Sequence, residues 1–205
     1  LNNTGDAYLW LGENEEALTH FKKCLSVTKS SDQRMLSVVH SNIADSYYRM
    51  DQYPKAIKAI ELSNKFANEI NFESILCCNI LILSRIYNRR NEFKKSIEII
   101  TRFIDNKRTY IADDIVDVYK ELATAYENIG KAKDSLIALK KHYKLKDDIF
   151  KEKQKKDLKT LTFRKTINQL EDKTKTLESL VSIRTNELKV ALESEKIISF
   201  FSREL

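Results

Sequence analysis

The sequence predicts an all-α fold: a superhelical solenoid of about four helix pairs followed by one long C-terminal helix. Three observations predict it. The chain has only 3 glycines and 1 proline among 205 residues, whereas sandwiches, barrels and wound sheets need those residues for their tight turns. An aromatic, turn and small-residue pattern recurs at spacings of 39, 40 and 39 residues. From about Lys144 to Leu205 the repeat stops, no Gly or Pro appears, and apolar residues fall at steps of four and three. A composition of 32% charged and 42% hydrophobic residues suits amphipathic helices throughout.

The repeat justifies the helix pairs in order. The first helix of each pair, helix A, carries a small residue three positions before a tyrosine: Gly5 and Tyr8, Ala44 and Tyr47, Ser84 and Tyr87, Ala123 and Tyr126. Four residues on stands a turn former, Gly12, Asp51, Asn91 or Gly130, which ends helix A. Helix B then presents a small residue (Ala17, Ala56, Ser96, Ser135) and, four later, a large apolar one (Phe21, Ile60, Ile100, Leu139). The small columns let two helices approach closely, while the tyrosines and large apolar residues fill the space between units. Pro54 stands where a first helical turn accepts it, because no N–H is needed there. The units fall at about 1–34, 35–73, 74–113 and 114–143, giving a solenoid over 1–143. No unit can bury its apolar face alone, so the four must stack.

This pattern resembles the tetratricopeptide repeat, whose units are antiparallel helix pairs with a usual period of about 34 residues. The extra five or six residues fall around Ser30–Arg34, Asn68–Glu73 and Asp105–Asp114, as longer helices or longer connections. The resemblance implies a concave surface built from the A helices, along which a protein or peptide partner lies. Its expected groove residues are Asn42, Asp45 and Arg49 from the second unit, Arg85, Asn88 and Arg89 from the third, and Glu121, Thr124 and Asn128 from the fourth. Ser41, Tyr48 and Lys120 share those faces, and Asp6, Leu9 and Trp10 would come from the first unit. Asparagine and arginine there can hold backbone amides or a carboxylate, and the three arginines together favour a peptide or an acidic partner. The family's carboxylate clamp for chaperone tails is not expected, because Leu81 stands where one of its basic residues belongs.

The segment 144–205 would reach about 90 Å as one helix. Its seam runs through Phe163, Ile167, Leu170, Thr174, Leu177, Val181, Arg184, Leu188 and Ala191, a coiled-coil pattern over about 160–198. The apolar members Phe163, Ile167, Leu170, Leu177, Val181 and Leu188 are the expected contact of a homodimer, while Thr174 and Arg184 weaken it. Lys151–Lys165 holds seven basic residues against two acidic ones. No aromatic interleaving or reading motif accompanies them, so a solvated helix face is expected rather than a nucleic-acid site. The run Tyr143-Lys-Leu-Lys-Asp-Asp-Ile-Phe-Lys-Glu is similar to the exit of repeat arrays in bacterial sensory proteins. Arg184-Thr-Asn-Glu-Leu188 resembles the stretch ahead of output domains of the histidine kinase, diguanylate cyclase and nucleotide cyclase types.

Three cysteines, an odd number with Cys77 and Cys78 adjacent, fit a reducing, cytoplasmic setting rather than a disulfide framework. There is no run of 18 apolar residues and no leader-like start, so no membrane span is expected in this segment. A net charge of +6 is a mild bias. His20, His40 and His142 are scattered in repeat phase, and no phosphate loop, paired-cysteine or nucleophile motif occurs. The chain is therefore read as non-catalytic and without cofactor or metal. Leu1 opens inside a helical pattern and Phe200–Leu205 end without a cap, so it reads as a segment of a longer protein. The expected role is a protein-binding sensory module that dimerises and relays a signal to an output domain. The alternative is a scaffold or a peptide receptor without catalytic output.

Overall fold

The computed structural model describes residues 1–106 and 112–201, with the side chains of 112–114 and 196–201 left aside. The described residues form eight α-helices and no strand. They are α1 (Asn2–Leu11), α2 (Asn14–Val27), α3 (Gln33–Arg49), α4 (Tyr53–Glu69), α5 (Glu73–Arg89), α6 (Phe93–Asp105), α7 (Ala112–Asn128) and α8 (Ala132–Phe201). The A helices are α1, α3, α5 and α7. The expected helix pairs are therefore present, and α8 supplies both the last helix B and the long C-terminal helix. The chain divides into two units, Leu1–Ile149 and Phe150–Leu205. The junction at 143/144 read from the repeat lies inside α8, because a helix that loses its repeat neighbours need not stop.

The turn column has a single physical cause. Gly12, Asp51, Asn91 and Gly130 all take positive φ, between 56° and 81°. After each, the N–H of Glu13, Gln52, Glu92 or Lys131 donates to the carbonyl of Tyr8, Tyr47, Tyr87 or Tyr126 at 2.8–2.9 Å. The turn residue's own N–H closes a tighter ring three residues back. This is the Schellman cap, and its left-handed residue selects Gly, Asn or Asp. A fifth such cap, missed by the column, ends α4: Asn71 has φ 51°, and Phe72 N–H donates to Ala67 O at 2.8 Å. That three-residue connection shows where the longer period comes from in the second unit, since α3 and α4 each run 17 residues. Between α2 and α3 the link is five residues, and the Asp32 side chain caps α3 by accepting from Met35 N–H at 2.9 Å. The third expected insertion, Asp105–Asp114, lies largely outside the described residues.

The small column is buried: Ala17, Ala56 and Ser96 are fully covered, and a Cβ on Gly5 would sit 2.5 Å from the Phe21 ring. Phe21, Ile60 and Ile100 are buried, whereas Leu139 is half-buried because its helix has no following A helix within the described pairs. The tyrosines do not fill the core as the repeat suggests. All four are half-buried, and Lys55, Lys95 and Lys131 lie 5.5–5.9 Å from the rings of Tyr47, Tyr87 and Tyr126. Two apolar clusters follow, one from Leu9 to Ile86 and one from Ala67 to Ala138.

Polar groups inside the first unit are wired rather than excluded. Ser63 Oγ donates to Ser37 O at 2.7 Å, and Asn79 Nδ2 donates to Ser63 Oγ and to Asn64 Oδ1, each at 2.8 Å. Asn79 is fully buried and so ties α5 to α4 and, through Ser63, to α3. Asn79→Asp keeps the shape but removes both donors and places a carboxylate against two oxygens. It is expected to destabilise the solenoid by about 3 kcal/mol at neutral pH, less at pH 4 where the new acid protonates. Denaturant midpoints of the two proteins at both pH values check this, and a loss independent of pH would overturn it.

Two of the histidines, His40 and His142, pack against neighbouring helices. His142 is buried and its Nδ1–H donates to Val116 O at 2.8 Å. His40 stacks on Phe66 at 5.7 Å, and burial holds it below its ordinary value of 6.5. The folded chain then binds fewer protons than the unfolded one just below pH 6.5, so this stability is present above that pH and lost as pH falls through the window beneath it. Melting temperature is expected to fall more between about pH 7.5 and 5.5 in the natural chain than in His40→Gln. Equal slopes would remove His40 as the cause.

In the second unit every described side chain from Phe150 to Glu195 is exposed, including Phe163, Leu170, Leu177, Val181 and Leu188 at 54–67% and Ile167 at 38%. Residues 196–198 of the expected coiled coil have side chains outside those described.

Candidate functional site

Three successive A-helix contacts, α1 with α3, α3 with α5 and α5 with α7, set the geometry of the expected groove face. Between α1 and α3, Asn42 Nδ2 donates to Asp6 Oδ1 at 2.8 Å and to Asn2 Oδ1 at 3.1 Å. Asn2 Nδ2 in turn donates to Asp6 Oδ2 at 3.0 Å, and burial pushes the Asp6 carboxyl above its ordinary range. Arg49 pairs with Asp45 on its own helix at 2.9 Å and reaches Leu9 O at 3.4 Å.

Between α3 and α5 the Arg89 guanidinium lies 4.8 Å from the Tyr48 ring centroid and bonds Asp51 Oδ1 at 3.0 Å. Tyr53 O–H donates to the same carboxylate oxygen at 2.7 Å. Burial raises the Tyr48 phenol, with the nearby arginines opposing that shift. Between α5 and α7, Arg85 pairs with Glu121 at 3.2 Å and with Asp117 at 3.7 Å. Asn88 Nδ2 donates to both Glu121 O and Glu121 Oε2 at 3.0 Å. The Asn88 Oδ1 beside them is buried without a protein partner.

The structure thus joins Asn42 with Asp6, Asp45 with Arg49, and Arg85 and Asn88 with Glu121. It does not bring Thr124 or Asn128 to another helix. Thr124 Oγ1 donates to Lys120 O at 3.2 Å and Asn128 Nδ2 to Thr124 O at 2.8 Å, both within α7. Leu9, Ser41 and Tyr48 are buried rather than facing a groove, because adjacent A helices close over them. Each of the three arginines is matched by a carboxylate, so their grouping creates no bare cationic patch. The side chains of Arg49, Arg85 and Arg89 remain 46%, 32% and 53% exposed. Asp51, Tyr53 and Asp117 were not legible as members of this set. For Asp117 the signal was its place one helical turn before Glu121.

Chemically the face offers paired charges, carboxamides and one bare aromatic. Trp10, the only tryptophan, is 90% exposed. It occupies the repeat column of Arg49, Arg89 and Asn128. A cavity of about 330 Å³ lies elsewhere, among α4, α5 and α6, lined by Asn64, Asn68, Leu76, Ile80, Ile99 and Phe103 with Arg102 and Asn106. None of the expected groove residues lines it. Among the described residues no group of three or more histidine, cysteine or acidic side chains is placed to hold a metal, and no helix is long and apolar enough to cross a membrane.

The sequence profile of the tetratricopeptide repeat family matches residues 1–63, which covers the first helix pair and most of the second. No curated protein matches the chain at a significant level. Beyond residue 63 the same caps and buried small residues recur as far as Gly130 and Ser135, at the start of α8. Tetratricopeptide repeats serve generally as non-catalytic protein–protein interaction modules. The match to residues 1–63, with the helical-pair architecture, supports a tetratricopeptide-repeat protein.

Proposed function

We propose that the chain is a non-catalytic protein-binding module whose A-helix face takes a peptide segment of a partner, and whose long C-terminal helix pairs with a second copy and passes the bound state to an output domain. The labour divides near residues 143–149: the solenoid binds and the helix beyond relays. The observation that carries the binding role is the A-helix face itself, with half-exposed Arg49, Arg85 and Arg89 held in place by carboxylates and with exposed Trp10 in the same repeat column as Arg49 and Arg89. Side chains fixed by neighbours lose little further entropy on binding, which favours their use as recognition groups. Because the cations are already matched, the partner segment is of mixed character rather than strongly acidic. The relay rests on the Arg184-Thr-Asn-Glu-Leu188 resemblance and on the exposed apolar seam of α8. The odd cysteine count supports a cytoplasmic setting.

The test is a displayed random-peptide library panned on the natural chain, with selected peptides re-measured on Trp10→Ala and on Arg85→Ala with Arg89→Ala. Peptides that bind the natural chain, alter Trp10 fluorescence and lose affinity about tenfold or more on the variants support the face as the site. Selected peptides that bind all three proteins equally would place recognition elsewhere. A chain that selects no peptide and assembles through α8 alone would favour the scaffold reading.

A further inference from the structure

We infer that α8 joins α8 of a second copy in parallel and in register, as a two-stranded coil that starts near Phe163. This rests on the dimer reading above and adds the orientation, strand number and register. In the heptad frame the a positions hold Ile167, Thr174, Val181 and then Leu188, and the d positions hold Phe163, Leu170, Leu177, Arg184 and Ala191, so the stretch 167–181 sets β-branched a residues against leucine at d. β-Branched residues at a with leucine at d is the combination that favours two parallel strands over three or four.

The surface carries the matching socket. A depression runs along α8 and is lined by Ile167, Leu170, Glu171 and Thr174, continuing to Lys175 and Glu178. The first four are the a, d, e and following a positions, the set that encloses a d-position leucine from a parallel partner in knobs-into-holes packing. Charge then selects direction. Lys173 stands at g and Glu178 at the next e, five residues on, which is the g-to-e′ distance across a parallel, in-register pair. The two-fold symmetry makes that attraction twice. An antiparallel pair instead sets e against e′, where both Glu171 and Glu178 lie. Upstream, Lys153 and Lys156 occupy the a and d positions, so pairing does not extend back through 151–156.

The test uses the full chain with the exposed Cys78 changed to serine and one cysteine introduced at a time, Leu170→Cys or Leu177→Cys. Under mild oxidation both variants are expected to convert almost wholly to disulfide-linked dimers, since d faces d′ at every layer of a parallel pair within disulfide reach. The two sites lie about 10 Å apart along the helix, so an antiparallel pair links at most one of them. Lys173→Glu is expected to loosen the dimer about tenfold, and adding Glu178→Lys to restore it. A dimeric molar mass with one or neither site linking would overturn the orientation and leave the dimer reading standing. A trimeric or tetrameric mass would overturn the strand number. A monomer would sink the dimer reading itself.

Discussion

Phe21→Ala is expected to cost the folded solenoid about 3–5 kcal/mol, the largest loss from any single core truncation here. The ring is fully buried in the cluster that joins the first two helix pairs. It lies against a glycine because nothing larger fits: an added Cβ on Gly5 would stand 2.5 Å from Cε1 and 2.7 Å from Cδ1. Helix α1 is thus seated on one aromatic face, and removing that face takes away its floor. In a stacked array stability is carried by neighbour contacts, so the loss should appear first at the end of the array. Amide exchange is expected to accelerate across α1 and α2 while α5 and α7 keep most of their protection. The reciprocal change has a predictable sign as well. Gly5→Ala should destabilise through overpacking by about 1–3 kcal/mol, and combining it with Phe21→Leu should recover part of that loss, because the two positions share one contact. A denaturant midpoint for Phe21→Ala within about 1 kcal/mol of the natural chain would mean that α1 collapses onto other support.

The helix pairs were legible because their caps are chemically restrictive. A left-handed residue must come every 39 or 40 positions, and only Gly, Asp and Asn fill the four places. Asn71 was missed for the converse reason. It uses the same cap between units, but the first unit closes with the extended Thr28 and a five-residue link, so no column repeats there. The polar face was legible as a list and not as a network. Arg85 finds Glu121 and Asp117 thirty-six and thirty-two residues away, a spacing set by how one A helix leans on the next rather than by any local period. That lean buries Leu9, Ser41 and Tyr48 and gives Arg85 and Arg89 their carboxylates, while Arg49 takes Asp45 from its own helix. On α8 the period of four and three was plain, yet the same period admits more than one seam.

Arg184→Leu is expected to tighten self-association about a hundredfold, the largest gain available from one residue in α8. Arg184 stands at a d position between Val181 and Leu188, and its guanidinium pairs with Glu187 on the same helix at 2.6 Å. Pairing through this seam brings Arg184 toward its own counterpart, so the charge must swing out and leave a gap. One residue back lies a second apolar stripe, Leu180, Ile183 and Val190, exposed at 53–64%, and its gap is filled by Glu187. Neighbouring residues point about 100° apart on a helix. The two stripes are therefore alternative seams related by that rotation, each interrupted by one member of the same ion pair. Replacing Arg184 makes the first seam apolar from Leu177 to Ala191 and leaves the second broken; Glu187→Leu does the reverse over 180–190. Single cysteines should report the choice: Val181→Cys is expected to link efficiently beside Arg184→Leu, and Leu180→Cys beside Glu187→Leu. A ligand in the solenoid can control output only by favouring one arrangement over the other, and the second stripe, apolar only at 180, 183 and 190, confines that choice to the end of the coil. If both variants link through Val181 alone, α8 has a single seam and rotation carries no signal.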